Sequence, residues 1–449
     1  MFRNVSTVFR LPASVAFIFC LFICTSLVAA PQKQETRPPN IVLIISDDQA
    51  WTDYSFMGHP EIRTPNLDRL AAQSLTFPRG YVPSSLCCPS LASILTGRYP
   101  SQHGITGNDP PMPQGMDKNA ARKSEEFLKG REQMNTFVER IPTLPRVLAD
   151  RGYLALQTGK WWQGNFRHGG FTHGMTSGDP ASGGRHGDEG LQIGRKTMQP
   201  IYDFVETAKK EDKPFFVWYA PMMPHQAHNP PKRLLKKYRD KTPSLHLAKY
   251  WAMVEWFDET CGELLDHLDK QGLAENTVVA YVTDNGWIQN PDKGEYGPRS
   301  KQSQYDTGLR TPIMIRWPGK VNPQKSTALA SSIDLMPTLL KASDVKPPAD
   351  LPGIDLLDKT AVKKRSIVFG ECFTHDIVDL AYPAKSLRWR WCVEGDWKLI
   401  LPDKNNEPNQ PVELYHLAKD PFEERNLAEK ETRKVASMKK KLDARWDGN

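Results

Sequence analysis

Cysteine is scarce in this chain, at 7 of 449 residues, which excludes a small scaffold built on disulfides. No internal repeat or long low-complexity tract occurs, and a disordered or collagenous chain is excluded with them. An excess of one charge is also lacking. Lys plus Arg total 59 against 52 Asp plus Glu, and the resulting +7 is too small and too dispersed to indicate nucleic acid. Long hydrophobic runs are missing apart from one near the start, so a multi-spanning membrane protein is excluded as well. What is present, 39% hydrophobic and 25% charged residues, is the balance of a folded protein with length for two or three folding units.

The one apolar run, Ala13 to Val28, follows Arg3 and Arg10 and ends in Val28-Ala29-Ala30. A basic start, a short apolar centre and a small-residue end predict a secretory signal peptide over residues 1–30. The run is short for a bilayer span, so no stable span is expected after cleavage, and the protein is expected to be exported, periplasmic or secreted. Losing Arg3 and Arg10 takes two charges from +7 and leaves +5. Five cysteines then remain, Cys87, Cys88, Cys261, Cys372 and Cys392, an odd number that leaves at least one unpaired. Cys372 and Cys392 are open to a disulfide if their strands meet. Of the adjacent Cys87 and Cys88, one is the candidate for chemistry.

After a Pro-rich linker, Gln32–Pro39, the run NIVLIIS (Asn40–Ser46) is apolar along its length, as a strand covered on both faces should be. YLALQ (Tyr153–Gln157), PFFVWYA (Pro214–Ala220) and TVVAYVT (Thr277–Thr283) read alike. Helical patterns lie between them, one capped by Thr143 and running to Ala149, one starting at Ser244 and stopping at Gly272. This alternation predicts an α/β fold with a mostly parallel central sheet flanked by helices, over residues 38–345. Asn108–Glu139 and the Gly-rich Gly164–Gly194, with His168, His173 and His186, read as loops. Beyond Lys346–Pro352 the composition turns aromatic (FGECF, RWRWCVEGDWKLILP, VELYHL) and then charged. Residues 346–449 are therefore expected to form a smaller antiparallel sheet with a terminal helix from Pro421.

Each expected parallel strand ends in a polar cluster: Asp47-Asp48, Gly159-Lys160, His225, and Asp284-Asn285-Gly286. Ligands in open α/β sheets bind beyond the carboxyl ends of the strands, so the clusters should converge on one edge. Asp47, Asp48, Asp284 and Asn285 offer only oxygen, and three carboxylates together call for a hard divalent cation. Calcium or magnesium fits better than zinc, which would want His or Cys. Lys160, Lys301 and His225 would add positive charge and donors around an anionic ester.

With these residues in view, Cys87-Cys88-Pro89-Ser90-Leu91-Ala92-Ser93-Ile94-Leu95-Thr96-Gly97-Arg98 resembles the type I sulfatase signature C-x-P-S-R-x-x-x-L-T-G-R. The resemblance takes in Asp47-Asp48, Gly159-Lys160-Trp161, Pro224-His225, Asp284-Asn285-Gly286, Lys301 ahead of Gly308-Leu309-Arg310-Thr311-Pro312, and Leu414-Tyr415-His416-Leu417 with Asp420-Pro421. It implies an alkaline-phosphatase-like fold, sulfate ester hydrolysis and one bound metal. It also implies oxidation of Cys87, by a separate formylglycine-generating enzyme, to Cα-formylglycine. In that chemistry one hydroxyl of the hydrated aldehyde attacks sulfur, and the second then helps to expel sulfate. By the same match Cys87, Asp47, Asp48, Asp284 and Asn285 would hold the metal, and Lys160 and Lys301 the sulfate. His225 or Lys301 would protonate the leaving alcohol, and Arg98 would support the turn carrying residue 87.

Two positions depart from the pattern. Leu91 replaces the signature arginine, and Trp162 stands where the family's Gly-Lys-Trp-His motif has histidine. His228 or a histidine of the Gly-rich loop is the expected substitute near the substrate, with Trp162. Trp51, Trp161, Trp162, Trp287, Trp389 and Trp391 could stack on sugar rings, which points to a sulfated carbohydrate or small molecule. The rival readings are a phosphatase or phosphodiesterase of the same superfamily, for which a second set of metal ligands is missing, and a non-catalytic protein that binds sulfated glycans.

Overall fold

Both faces of the strand Asn40–Ser46 (β1) are covered, which is why it carries no alternation of polar residues. Ile41, Leu43 and Ile45 enter one apolar core, and Val42 and Ile44 the other. The computed structural model describes residues 7–10, 37–179 and 184–448. The expected signal peptide lies outside the described residues, apart from 7–10. Residues Pro38–Asn449 form one compact unit, and the division expected at 345/346 runs through it.

The other strands are β2 (Leu75–Tyr81), β3 (Leu154–Gly159), β4 (His173–Gly174), β5 (Phe215–Ala220), β6 (Thr277–Thr283), β7 (Arg310–Arg316), β8 (Gln324–Lys325) and β9 (Ala330–Ser331). They join β1 in one sheet of order β4-β3-β5-β1-β6-β7-β2-β8, with β9 also on β2. From β4 to β6 every pairing is parallel, and β7 runs against both β6 and β2. The helices Gln199–Lys210 and Leu245–Lys270 cover one face. The helices Cys87–Thr96 and Leu335–Ala342 cover the other. Ser244 caps the long helix by accepting from Leu247 N at 3.1 Å, as expected. Thr143 precedes its helix but donates to Gly169 O instead.

β10 (Ile367–Phe373), β11 (Leu387–Glu394), β12 (Trp397–Pro402) and β13 (Glu413–His416) form the expected antiparallel C-terminal sheet. Its terminal helix spans Thr432–Arg445 and buries Met438 and Leu442 against Cys392, Leu399 and Leu414. That helix starts eleven residues later than Pro421, because the intervening segment is spent on turns.

Other expectations need correction. The segment 108–139 is not wholly loop: Glu125–Phe137 is a helix, capped by Ser124, which buries only Phe127, Met134 and Asn135. So narrow an apolar face leaves almost no period in the sequence. β2 escaped detection because Pro78 and Gly80 lie within it, at a break in register between Phe77 and Gly80. Cys372 and Cys392 are not bonded. They occupy neighbouring strands but face different cores. Among the described residues, no helix is long and apolar enough to cross a membrane.

A buried ionic cluster ties the two sheets together. Lys398 of β12 pairs with Asp306 at 2.8 Å and Glu423 at 2.7 Å, all three side chains without exposure. Asp306 also accepts from the Tyr81 hydroxyl at the end of β2. Replacing Lys398 strands two carboxylates in a dry site. Lys398→Ala is expected to cost about 3–5 kcal/mol in urea denaturation. A loss below about 1 kcal/mol would place the cluster among solvated surface pairs.

Candidate active site

Four parallel strands deliver their following residues to one edge of the sheet. Leaving β1, Asp47 N donates to Met223 O at 3.0 Å, and Asp48 takes a φ of 62°, a left-handed conformation that Asp tolerates better than most residues. Asp48 N donates to Asp284 Oδ1 at 3.1 Å, and Asn285 Nδ2 donates to Asp48 Oδ1 at 2.6 Å. The end of β3 needs glycine. Gly159 has φ 76°, and a Cβ there would lie 1.9 Å from Ala220 O. This turn lets Lys160 N donate to Ala220 O and sends its Nζ to Asp47 Oδ1 at 2.7 Å. Lys301 reaches both Asp48 oxygens, at 2.6 and 2.7 Å, while Gln302 N holds Ser85 O. His225 Nε2 stands 3.4 Å from Asp48 Oδ2.

Cys87 opens the helix Cys87–Thr96, so its side chain sits at the positive end of the helix dipole. Burial pushes its thiol up to about 11 in spite of Lys160 and Lys301, which makes it a poor nucleophile as a thiol. Burial also works against the ammonium groups of Lys160 and Lys301, but the carboxylates hold both above the ordinary lysine range. Asp48, for all its burial, is kept well below the usual range by Lys301, His225 and Lys160. Asp284 is pushed up, by burial and then by Asp47. Three carboxylates face two ammonium groups, and Asp284, whose Oδ2 lies 3.7 Å from Lys160 Nζ, is the least compensated of the three.

Asp47 Oδ2, Asp284 Oδ2 and Asn285 Oδ1 are buried with no hydrogen-bond partner. Asp47, Asp48, Cys87 and His225 each offer a ligand atom, all within 4.8 Å of one another. Orphaned oxygens beside an under-compensated carboxylate fit a hard divalent cation. Of the expected metal set, Asp47, Asp48 and Cys87 fall in this group together with His225, and Asp284 and Asn285 adjoin it through their hydrogen bonds with Asp48.

Above this cluster opens a cleft of about 230 Å³, lined by Cys87, Trp162, His225, Trp287 and Lys301. Of the loop histidines only His186 reaches it. Its ring stands edge-on to Trp162 at 5.3 Å, and burial followed by Lys160 lowers it to about 3, keeping it neutral. His168 binds Gln163 O, and His173 packs on Phe204. His228 lies back against Tyr250 and Trp287 and does not line the cleft. Arg98 is also elsewhere, beyond the far end of the Cys87 helix, where it pairs with Asp350 at 2.8 Å. Trp161, Trp389 and Trp391 are core residues, and Trp51 packs between Phe422 and Arg310, so these four offer no sugar platform. Asn108, Arg185, Tyr296 and His375 line the cleft without having been anticipated. Asn108 and Arg185 come from segments read as loops, His375 from the C-terminal region and Tyr296 from a stretch with no assigned element, and no motif marks them.

Two buried lysines at the mouth of an oxygen-rich pocket suit the hydrolysis of an anionic ester rather than a neutral one. Comparison with known proteins narrows this class. The sulfatase family matches residues 39–345, and the C-terminal region of N-sulphoglucosamine sulphohydrolase matches residues 294–447. The chain belongs to the sulfatase family and is a sulfuric ester hydrolase. It is 29% identical to N-acetylgalactosamine-6-sulfatase of Mus musculus, over 86% of this chain and 81% of that protein. Arylsulfatase A of Homo sapiens is also 29% identical, over 87% of this chain and 83% of its own. The crystal structure of Ps i-CgsB in complex with k-i-k-neocarrahexaose shares the fold, with TM-score 0.72 and 22% identity over 92% of this chain and 94% of that one.

Calcium at a hundred times its dissociation constant is expected to stabilise the protein by about 2.7 kcal/mol, read as a rise in calorimetric Tm that chelation reverses. Asp284→Ala should abolish the rise. An equal rise in that variant would place the ion elsewhere.

Proposed function

We propose that the protein hydrolyses sulfate esters of carbohydrates with a Cα-formylglycine formed from Cys87 by a separate generating enzyme, after export and removal of residues 1–30. The observation that carries this reading is the meeting of Lys160, Lys301 and three orphaned oxygens around a buried cysteine at a helix N-terminus. A calcium ion, or magnesium, held by Asp47, Asp48, Asp284 and Asn285 would neutralise charge building on the sulfuryl oxygens and favour deprotonation of the nucleophile.

Lys160 and Lys301 are already charged and fixed, so they bind the sulfate without reorganising. One hydroxyl of the hydrated aldehyde at residue 87 attacks sulfur and the ester S–O bond breaks. The departing alkoxide takes a proton from Lys301 or His225, both of which face the cleft. Loss of the second hydroxyl's proton then expels sulfate and restores the aldehyde. A sulfated carbohydrate is supported by what the relatives are named for and by Trp287 and Tyr296 in the cleft wall. A two-metal phosphatase is not favoured. Among the described residues the other possible ligand group, Asp109, His375 and Asp376, has its central carboxylate taken by three arginines.

Mass spectrometry of the tryptic peptide 80–98 from the native host is expected to show an aldehyde at position 87. An intact thiol in active protein would refute formylglycine chemistry. Sulfate esters should be turned over far better than matching phosphate esters. Lys160→Ala or Lys301→Ala should lower kcat by about 10²–10³.

A further inference from the structure

One wall of the cleft plays no part in the hydrolytic chemistry. Asp109, fully buried, receives three guanidinium groups: Arg122 at 3.2 Å, Arg131 at 2.5 Å, and Arg185, whose Nε lies 2.7 Å from Oδ1 and whose Nη2 meets Oδ2. Burial alone would raise this carboxyl, but the arginines, Arg185 foremost, hold it down at about 2. Asp109 is therefore a fixed anion that organises the three side chains. Arg131 and Arg185 also stand against the Trp162 ring, 5.6 and 4.9 Å from its centroid. A tryptophan in place of the expected histidine thus braces two cations.

The wall keeps guanidinium donors that its own carboxylates leave unsatisfied. Three arginines face Asp109, with Glu132 and Asp376 beside it. Nε and Nη1 of Arg131 and Nε of Arg122 are buried without partners. Arg185 lines the catalytic cleft together with Cys87 and Lys301. With Arg122 and Arg131 it also lines an adjoining cavity of about 420 Å³. Its Nε and Nη2 are committed to Asp109, which leaves Nη1 as the edge free to meet a ligand. A substrate that fills this cleft of about 230 Å³ meets Arg185 as well as Cys87 and Lys301.

We propose that Arg185, held by Asp109 and Trp162 and supported by Arg131, forms a second anion subsite. It would select saccharides that carry a carboxylate or a further sulfate besides the ester being cleaved. This rests on the sulfate-ester reading and names the substrate class within it: polyanionic rather than singly sulfated glycans. Arg185 is a specificity-determining residue, and Asp109 and Trp162 are positioning residues.

Calorimetric titration of Cys87→Ala protein reads the subsite without turnover. The probes are N-acetylgalactosamine 6-sulfate, with one anion, the 4,6-disulfate, with a second sulfate, and a glucuronyl disaccharide of the 6-sulfate, with a carboxylate. At least one dianion is expected to bind about tenfold or more tighter than the monoanion, as one charge-assisted hydrogen bond allows. Whichever dianion gains identifies the anion recognised. Adding Arg185→Gln should remove the gain, and Arg185→Lys should restore part of it. Equal affinity for all three probes, or a gain that survives Arg185→Gln in a variant with unchanged Tm, would overturn the subsite. Should Arg185→Gln fold poorly, the gain must fall steeply with added salt in the Cys87→Ala protein, and a salt-independent gain would overturn it equally. Selective binding in a protein whose Cys87 form hydrolyses no sulfate ester would sink the hydrolytic reading and leave the subsite standing.

Discussion

Three carboxylates buried within reach of one another at a sheet edge are the constraint on which the remainder of this structure depends. A pair of like charges at 4 Å costs about 4 kcal/mol at an effective dielectric of 20. A few such pairs equal the about 5–15 kcal/mol that holds a domain folded. The fold answers with placement. β1 lies between β5 and β6, so residues after β3, β5 and β6 all reach the Asp47-Asp48 turn. Lys160 takes Asp47 and reaches Asp284 at 3.7 Å, and Lys301 takes Asp48, which leaves Asp284 the least compensated. The same ammonium groups that neutralise the resting site are those an anionic ester would meet, which makes stability and substrate binding one electrostatic problem.

The C-terminal sheet takes part in solving it. Glu371 N of β10 donates to Pro83 O, four residues before Cys87, and a Cβ on the neighbouring Gly370 would lie 2.4 Å from that same oxygen. Tyr81 and Asp306, which flank the approach to Cys87 and the Lys301 loop, are bound to each other and then to Lys398 of β12. The segment after β10 continues into the cleft as His375, whose carbonyl accepts from Asn108 N. A sheet that packs against both arms of the site in this way fixes the distance between Cys87 and Lys301, and reacting groups are sensitive to misplacements of about 1 Å. The overlap of the two family matches between residues 294 and 345 falls on this shared ground.

Much of this was legible in the sequence because the interior of a parallel sheet permits so little. β1, β3, β5 and β6 read as short apolar runs, and the metal-binding candidates followed them at once. Residues that act through long-range packing left no such trace. His186 reaches the cleft while His168 and His173 in the same Gly-rich segment do not, and the difference lies in tertiary placement rather than spacing. Arg98 was read into the site because it closes the signature, yet Cys87 and Thr96 stand at opposite ends of a ten-residue helix, about 14 Å apart along its axis. His228, three residues beyond His225, is turned back against Tyr250. Membership of the motif suggested the first placement, and proximity in sequence the second.

The two departures from the family pattern have a common physical reading. Leu91 lies one turn after Cys87 on its helix and is 4% exposed within the main apolar core. An arginine in this environment would need a buried partner of its own. The positive potential at Cys87 therefore comes from Lys160 and Lys301, which stand on separate segments outside the signature. At Trp162 the replacement is again apolar, with cations displaced to its periphery, Arg131 and Arg185, and a neutral histidine, His186, against its edge. In both places charge has moved from the motif to the wall around it. The helix and the strand end become ordinary packed elements, and the chemistry is left to groups anchored by Asp47, Asp48 and Asp109. Such an arrangement keeps the site cationic while changing which part of a substrate the cations touch.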